Sequence, residues 1–187
     1  MPTVGVLALQ GDFREHRRVL DGLGVATREV RLPEDLAGLD AIVIPGGEST
    51  TIGKLATRFG VIDPLREIIA DGLPTYGTCA GLIFCAMAVT EGEQPLLAVL
   101  DVIVRRNAFG RQNESFEEAI DVAGLDGPFH AVFIRAPWVA KVGDGVEVLA
   151  TVDGHPVMVR QANIIGTSFH PELTDDTRIH RMLLEMI

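Results

Sequence analysis

Short β-branched runs alternate with amphipathic stretches through the first half of the chain: "TVGVLAL", "FREHRRVLDGL", "ATREVRL", "AIVIPGG", then a helical stretch from Thr50 to Phe59. Few architectures accept this order. Parallel strands need a crossover long enough to carry the chain back to the same end of the sheet, and an amphipathic helix is the usual one. "AIVI" offers no polar residue to a solvated face, so it reads as a strand covered on both sides, and "LPTYGT" reads as a shorter successor. Both run into glycine-bearing turns. After Glu91 the pattern changes to strand-like runs separated by turn residues: "LLAVLDVIVRR", "FEEAIDV", "FHAVFIRA", "VEVLATV", "PVMVRQA" and "NIIGTSF". These predict antiparallel additions and a return to the central sheet. The tail "DDTRIHRMLLEMI" has an acidic start and apolar residues at Ile179, Met182, Leu183 and Met186, the spacing of a closing helix. The expected class is α/β, with a central mostly parallel sheet flanked by helices.

A length of 187 residues suits one domain, 1–187, with its own core. No apolar run approaches the roughly eighteen residues of a membrane span. The N-terminal "MPTVGVLALQGDF" lacks a basic n-region and a cleavage site, and reads as a strand entering the fold, which predicts a cytoplasmic protein. Two cysteines make no disulfide framework, and in a reducing compartment both stay thiols. The sequon at Asn113 then carries no meaning. A formal charge of −10 speaks against nucleic acid as a partner, because phosphate binding needs a basic footprint.

Both cysteines lie in "PTYGTCAGLIFCAM". Cys79 stands as G-x-C-x-G between a strand and a helix, a thiol counterpart of the nucleophile elbow in which Gly77 and Gly81 make room for a sharp turn. The turn would put Cys79 at a helix N-terminus, where partial positive charge favours a thiolate. The motif alone leaves two readings open, a nucleophile or a buried cysteine in a tight βα turn. Cys85 lies six helical residues on, roughly 240° around, among apolar neighbours, and reads as a small core hydrophobe. No C-x-x-C or Cys/His cluster at ligand spacing suggests a metal.

A thiol nucleophile needs a base, and the base an orienting group. His16, His130, His155 and His180 read as solvated or packing histidines. His170 differs: it follows the strand "NIIGTSF" and opens "HPE", where Pro171 biases it towards extended backbone. Residues two apart in an extended segment point the same way, which would set Glu172 beside His170. Alone, "HPE" is an ordinary surface turn; with the elbow, the joint reading is a Cys79–His170–Glu172 triad. "PGGEST", residues 45–50, adds backbone N–H groups free of side-chain obstruction. The N–H groups of Gly47 and Ala80 are candidates for an oxyanion hole, with Ser49 as a helix N-cap.

With "PGGEST", "GTCAG" and "HPE" in this order, the chain resembles the class I (triad) glutamine amidotransferases. Within them "GVLALQGDFREH", "IPGGESTTI", "YGTCAGLI", "RRNAFGRQ", "SFE", "FIRAP" and "TSFHPELT" resemble the glutaminase subunits of pyridoxal 5′-phosphate synthases over almost the whole sequence. The resemblance implies a three-layer sandwich, and it implies that Cys79 attacks the side-chain amide of L-glutamine, His170 shuttles the proton and Glu172 orients His170. By the same matching Gly47, Glu48, Ser49, Arg106, Ile134 and Arg135 would contact glutamine. Arg106 and Arg135 suit its carboxylate and Glu48 its ammonium. No cofactor is implied. The implied partner is a separate synthase subunit that builds pyridoxal phosphate from ribose 5-phosphate and glyceraldehyde 3-phosphate, in a large hetero-oligomer. Docking would complete the loop at Gly46 and Gly47, with Gln10 a coupling residue. Phe84 and Cys85 replace the more usual aliphatic residues, a matter of packing. Two alternatives stay open: a glutaminase serving another acceptor synthase, and a non-catalytic binding module on the same fold.

Overall fold

The computed structural model describes residues 1–110 and 114–187; Asn113 of the sequon and the end of "RRNAFGRQ" lie outside the described residues. The first half alternates as the pattern predicts: β1 (Thr3–Leu7), α1 (Phe13–Gly22), β2 (Ala26–Val30), β3 (Ala41–Ile44), α2 (Ser49–Arg58), α3 (Ile62–Ala70), β4 (Thr75–Thr78) and α4 (Ala80–Cys85). β1 pairs in parallel with β2 and β3, setting Val4 opposite both Thr27 and Ala41, and β4 joins β3 in parallel with Tyr76 opposite Val43.

The second half supplies β5 (Ala86–Val89), β6 (Leu100–Arg105), β7 (Ser115–Ile120), β8 (Phe129–Ile134), β9 (Trp138–Val142), β10 (Glu147–Val152), β11 (His155–Gln161), β12 (Ile164–Thr167) and α5 (Arg178–Leu184). β12 re-enters the main sheet parallel to β4, with Thr167 opposite Thr78, and β11 and β10 extend that edge antiparallel. The seven strands run in the order β10-β11-β12-β4-β3-β1-β2; β5, β6 and β9 form a smaller sheet and β7 and β8 a hairpin.

Each strand of the main sheet feeds two cores, as period-two alternation requires. Ile42 and Ile44 of β3 turn to one side, with Ile52, Leu65, Leu82 and Phe84 from α2, α3 and α4. Ala41 and Val43 turn to the other, with Leu20, Phe129, Phe133, Ile179 and Leu183 from α1, β8 and α5. Sheet and covering layers make the expected sandwich. None of the described helices is long and apolar enough to cross a membrane.

Four elements differ from the sequence reading, β5 among them, since the sequence marks Ala86–Val89 only as apolar neighbours of Cys85. The run "LLAVLDVIVRR" reads as one strand from residue 96, but β6 begins only at Leu100, after Ala98 has taken a φ of 53°. α3 was not anticipated; its Pro64 falls in the first turn, where a missing N–H costs nothing. β9 was also unread, and is fixed by tertiary contact: Trp138 stacks flat on His155 of β11, ring centroids 3.6 Å apart.

Candidate active site

The segments that follow β1, β3, β4 and β12 all emerge at the carboxyl ends of parallel strands, the side of an open α/β sheet on which ligands bind. Cys79 is the residue between β4 and α4. Its φ of 48° and ψ of −102° reverse the chain sharply, and its N–H donates to Thr167 O across the sheet at 2.7 Å. The flanking glycine is a packing requirement: a Cβ on Gly81 would stand 1.9 Å from the carbonyl oxygen of Ile44, so α4 lies directly on β3. Ala80 is the first residue of α4, where an N–H has no partner within the helix. Cys85 ends the same helix in the core, 1% exposed, and burial pushes its thiol up to about 12. The two cysteines are free and differ as the sequence suggests.

His170 lies three residues beyond β12, its N–H held by Val132 O at 2.9 Å. Its Nδ1 is 2.7 Å from Glu172 Oε1, both side chains being buried. The partnership agrees with the sequence, but the reason does not: Pro171–Leu173 is a turn of 3-10 helix, so tight winding rather than an extended segment brings Glu172 back to the ring. Burial alone would lower the pKa of His170. Hydrogen bonds to Cys79 and Glu172, reinforced by the charge of each, outweigh it and carry the group up to about 10. Glu172 is pulled the other way: burial raises it, and His16 and His170 together hold it below the usual carboxylate value.

The loop after β3 is fixed from two sides. Gln10 Oε1 accepts the Glu48 N–H at 2.7 Å, and Asp12 N–H donates to Gly46 O at 3.0 Å. Gly47 has a φ of 153°, and a Cβ there would stand 2.5 Å from Gln10 Oε1. The N-cap of α2 is Glu48 rather than Ser49: its carboxylate accepts from Thr50 N–H at 3.1 Å and from Thr51 N–H at 2.8 Å. Burial raises the Glu48 pKa, but these donors and the Thr51 hydroxyl outweigh it and lower it overall. Ser49 turns inwards and donates to Gln94 Oε1 at 3.3 Å.

A cleft of about 150 Å³ opens at the elbow, lined by Gly47, Glu48, Ser49, Cys79, Ala80, Ile83, Arg106, Asn107, Ile134 and Arg135. Every substrate-contact residue expected from the sequence is there. Arg106 is held by neutral oxygens, Gln94 Oε1 at 3.1 Å and Thr50 Oγ1 at 3.3 Å. Among the described residues neither Arg106 nor Arg135 forms an ion pair, so both carry charge that an anionic ligand can take up.

Sequence reasoning missed several neighbours. Gln94 anchors Arg106, and Asn107 lines the cleft with a φ of 46°. Asp12 Oδ2 is 3.8 Å from His170 Nδ1, and burial, its largest influence, raises its pKa. His16 is fully buried behind Glu172; its place one helical turn before the buried Leu20 was the signal that could have found it. Asp12, His170 and Glu172 are also the one group among the described residues with metal-ligand spacing, although two of its atoms already bond each other.

A solved structure described as that of a glutamine amidotransferase superposes with a TM-score of 0.94 at 56% identity, covering 98% of this chain and 97% of that one. The fold is that of a glutamine amidotransferase. Two relatives, both named pyridoxal 5′-phosphate synthase subunit PdxT, align with 100% of this chain: one from Parafrankia sp., 59% identical over 93% of its own length, and one from Streptomyces coelicolor, 58% identical over 94%. The chain belongs to the SNO glutamine amidotransferase family, whose profile matches residues 6–187.

Proposed function

We propose that this protein is the glutaminase subunit of a pyridoxal 5′-phosphate synthase, a single amidotransferase domain that works in the cytoplasm beside a separate synthase subunit. L-glutamine enters the cleft with its carboxylate towards Arg106 and Arg135 and its side-chain amide over Cys79. The ammonium faces the loop at Glu48 and Ser49. Because both Glu48 oxygens already cap α2, the carboxylate acts as a fixed negative charge rather than a freely turning acceptor.

The chemistry follows from the positions of three groups. Cys79 Sγ first gives its proton to His170, which at about 10 holds it at neutral pH, and then bonds as the sulfur anion to the amide carbon. The carbonyl oxygen becomes an oxyanion, stabilised by the N–H groups of Gly47 and Ala80. As the tetrahedral species collapses, the C–N bond breaks and His170 gives its proton to the departing nitrogen, releasing ammonia. Water then attacks the thioester, His170 takes one of its protons and returns it to sulfur, and glutamate leaves. Glu172 keeps the His170 Nδ1–H engaged throughout, so that Nε2 is the nitrogen that serves the sulfur. The ammonia passes to the synthase subunit. Gln10 is the coupling residue: its side chain holds the loop that carries the Gly47 N–H, so contact at the first loop reaches the oxyanion hole.

The observation that carries this reading is one small cleft that holds a cysteine at a strand-to-helix elbow and two arginines without an ion-pair partner among the described residues, the cysteine being hydrogen-bonded to a carboxylate-held histidine. The test is ammonia release from L-glutamine with and without the synthase subunit. Activity should rise when the subunit is added and vanish in Cys79→Ala. Undiminished release by Cys79→Ala in the presence of the subunit would refute the nucleophile.

A further inference from the structure

Behind Glu172, on the side away from the cleft, lies a polar cluster that the mechanism above does not use. His16 of α1, Thr78 and Tyr76 of β4, Thr167 of β12 and His180 of α5 are all fully buried. Tyr76 and Thr167 satisfy each other at 3.1 Å, and Thr167 donates onward to Phe169 O at 3.0 Å. The rest form a chain that ends on the carboxylate. His180 Nε2 is 3.0 Å from His16 Nδ1, while His16 Nε2 is 3.1 Å from Thr78 Oγ1 and 3.5 Å from Glu172 Oε2. Two atoms of the cluster have no hydrogen-bond partner among the described residues, Glu172 Oε2 and His180 Nδ1.

These two orphans decide how the protons are arranged. Suppose His16 carried its proton on Nδ1 and gave it to His180. Then His180 would hold its own proton on the partnerless Nδ1, a buried N–H with nowhere to donate, and the lone pair of His16 Nε2 would face the carboxylate. Both consequences are unfavourable. In the opposite arrangement His180 Nε2–H donates to His16 Nδ1, and His16 Nε2–H donates to Thr78 Oγ1 while lying 3.5 Å from Glu172 Oε2. On the rings only a bare nitrogen is then left without a hydrogen bond, and Glu172 Oε2, though not hydrogen-bonded, faces the positive end of an N–H dipole where the local dielectric makes it count. Burial keeps both rings neutral: it lowers the pKa of His16, and that of His180 falls to about 3.

We infer that His16 is a positioning residue for Glu172, a neutral imidazole whose Nε2–H, set in that tautomer by His180, fixes the carboxylate so that Oε1 stays on His170. The inference rests on the reading of Cys79, His170 and Glu172 as a triad. His16 touches neither substrate nor sulfur; its effect is to deny the carboxylate a second rotamer.

The test begins on the unmodified protein. Side-chain ¹⁵N NMR at neutral pH should find the His16 proton on Nε2 and Nδ1 bare; a proton on Nδ1, or on both nitrogens, overturns the inference without any variant. The kinetic arm uses glutamine hydrolysis with the synthase subunit present. His16→Gln, whose amide nitrogen occupies the place of Nε2, should keep kcat within about 3-fold, whereas His16→Leu should lose on the order of 100-fold in kcat at unchanged KM, the scale of a misplaced catalytic group. Wild-type kcat in folded His16→Leu overturns the inference, and so does an equal loss in both variants, which would show that ring volume matters and not the donor. If His16→Leu does not fold, the tautomer and the Gln variant still decide. Full activity in Cys79→Ala would instead sink the triad reading and leave the tautomer result standing.

Discussion

Strand β4 separates two unlike environments within a few ångströms. On its α4 side Gly77 meets the helix backbone, and Leu82, Phe84 and Leu100 fill the space with hydrocarbon. On its other side Tyr76 and Thr78 reach into the seam of His16, His180, Thr167 and Glu172, set within the second core. The first environment stabilises strongly and is indifferent to direction. The second gains little net free energy per contact, yet leaving any of its members unpaired is costly, so it dictates orientation. The elbow is thus located by packing on one face, and its histidine is aimed by hydrogen bonds on the other.

The most severe way to break this division is to thicken the apolar contact. Gly81→Val puts side-chain atoms where the Ile44 carbonyl stands, and should cost more than about 3 kcal/mol by urea denaturation, if the protein folds at all. Leu82→Ala removes packing without a clash and should cost about 2–5 kcal/mol, while folded protein keeps most of its kcat. Thr78→Val on the polar face should cost less stability, about 1–3 kcal/mol, and more activity, because His16 loses a partner. If both substitutions lowered stability and kcat in the same proportion, the two faces would not divide the work as described.

Acid and base should separate the faces as well. His180, with a folded pKa of about 3, binds fewer protons in the native than in the unfolded state between that value and about 6.5, so its contribution is present above pH 6.5 and lost as pH falls. His170, raised to about 10, binds more protons in the native state; its contribution is present below about pH 6.5 and lost as pH rises through 10. Thermal melts across pH should therefore pass through a maximum near neutrality. His180→Phe should flatten the acid limb and leave the alkaline limb alone. Cys85→Ala should be mildest, about 1 kcal/mol with kcat unchanged, as befits a thiol that serves only as filling.

Much of this was legible in the residues. Alternating runs gave the parallel strands, and G-x-C-x-G gave the elbow, because a tight strand-to-helix crossing leaves so few residue types to choose from. "HPE" led to the right contact by the wrong geometry: tight winding after Pro171 can bring residues two apart together just as an extended segment can. What stayed hidden was assembled from distant parts of the chain. His16 and His180 are 164 positions apart, and although helical spacing can set each on a buried face, nothing local says that the two meet. Gln94 is equally silent, since its role exists only once Arg106 and α2 lie beside it. Glu48 displaced Ser49 as the cap because the longer side chain reaches two backbone donors while the serine is drawn inwards.

The backbone of Cys79 carries one more consequence. At a φ of 48° any residue with a Cβ is disfavoured, and glycine is not. Cys79→Gly should therefore be more stable than Cys79→Ala by about 1 kcal/mol, and under the proposed mechanism both should be inert. Under pressure for stability alone this residue would be replaced early, so the proposed chemistry, and not the fold, is what would keep a thiol at this turn.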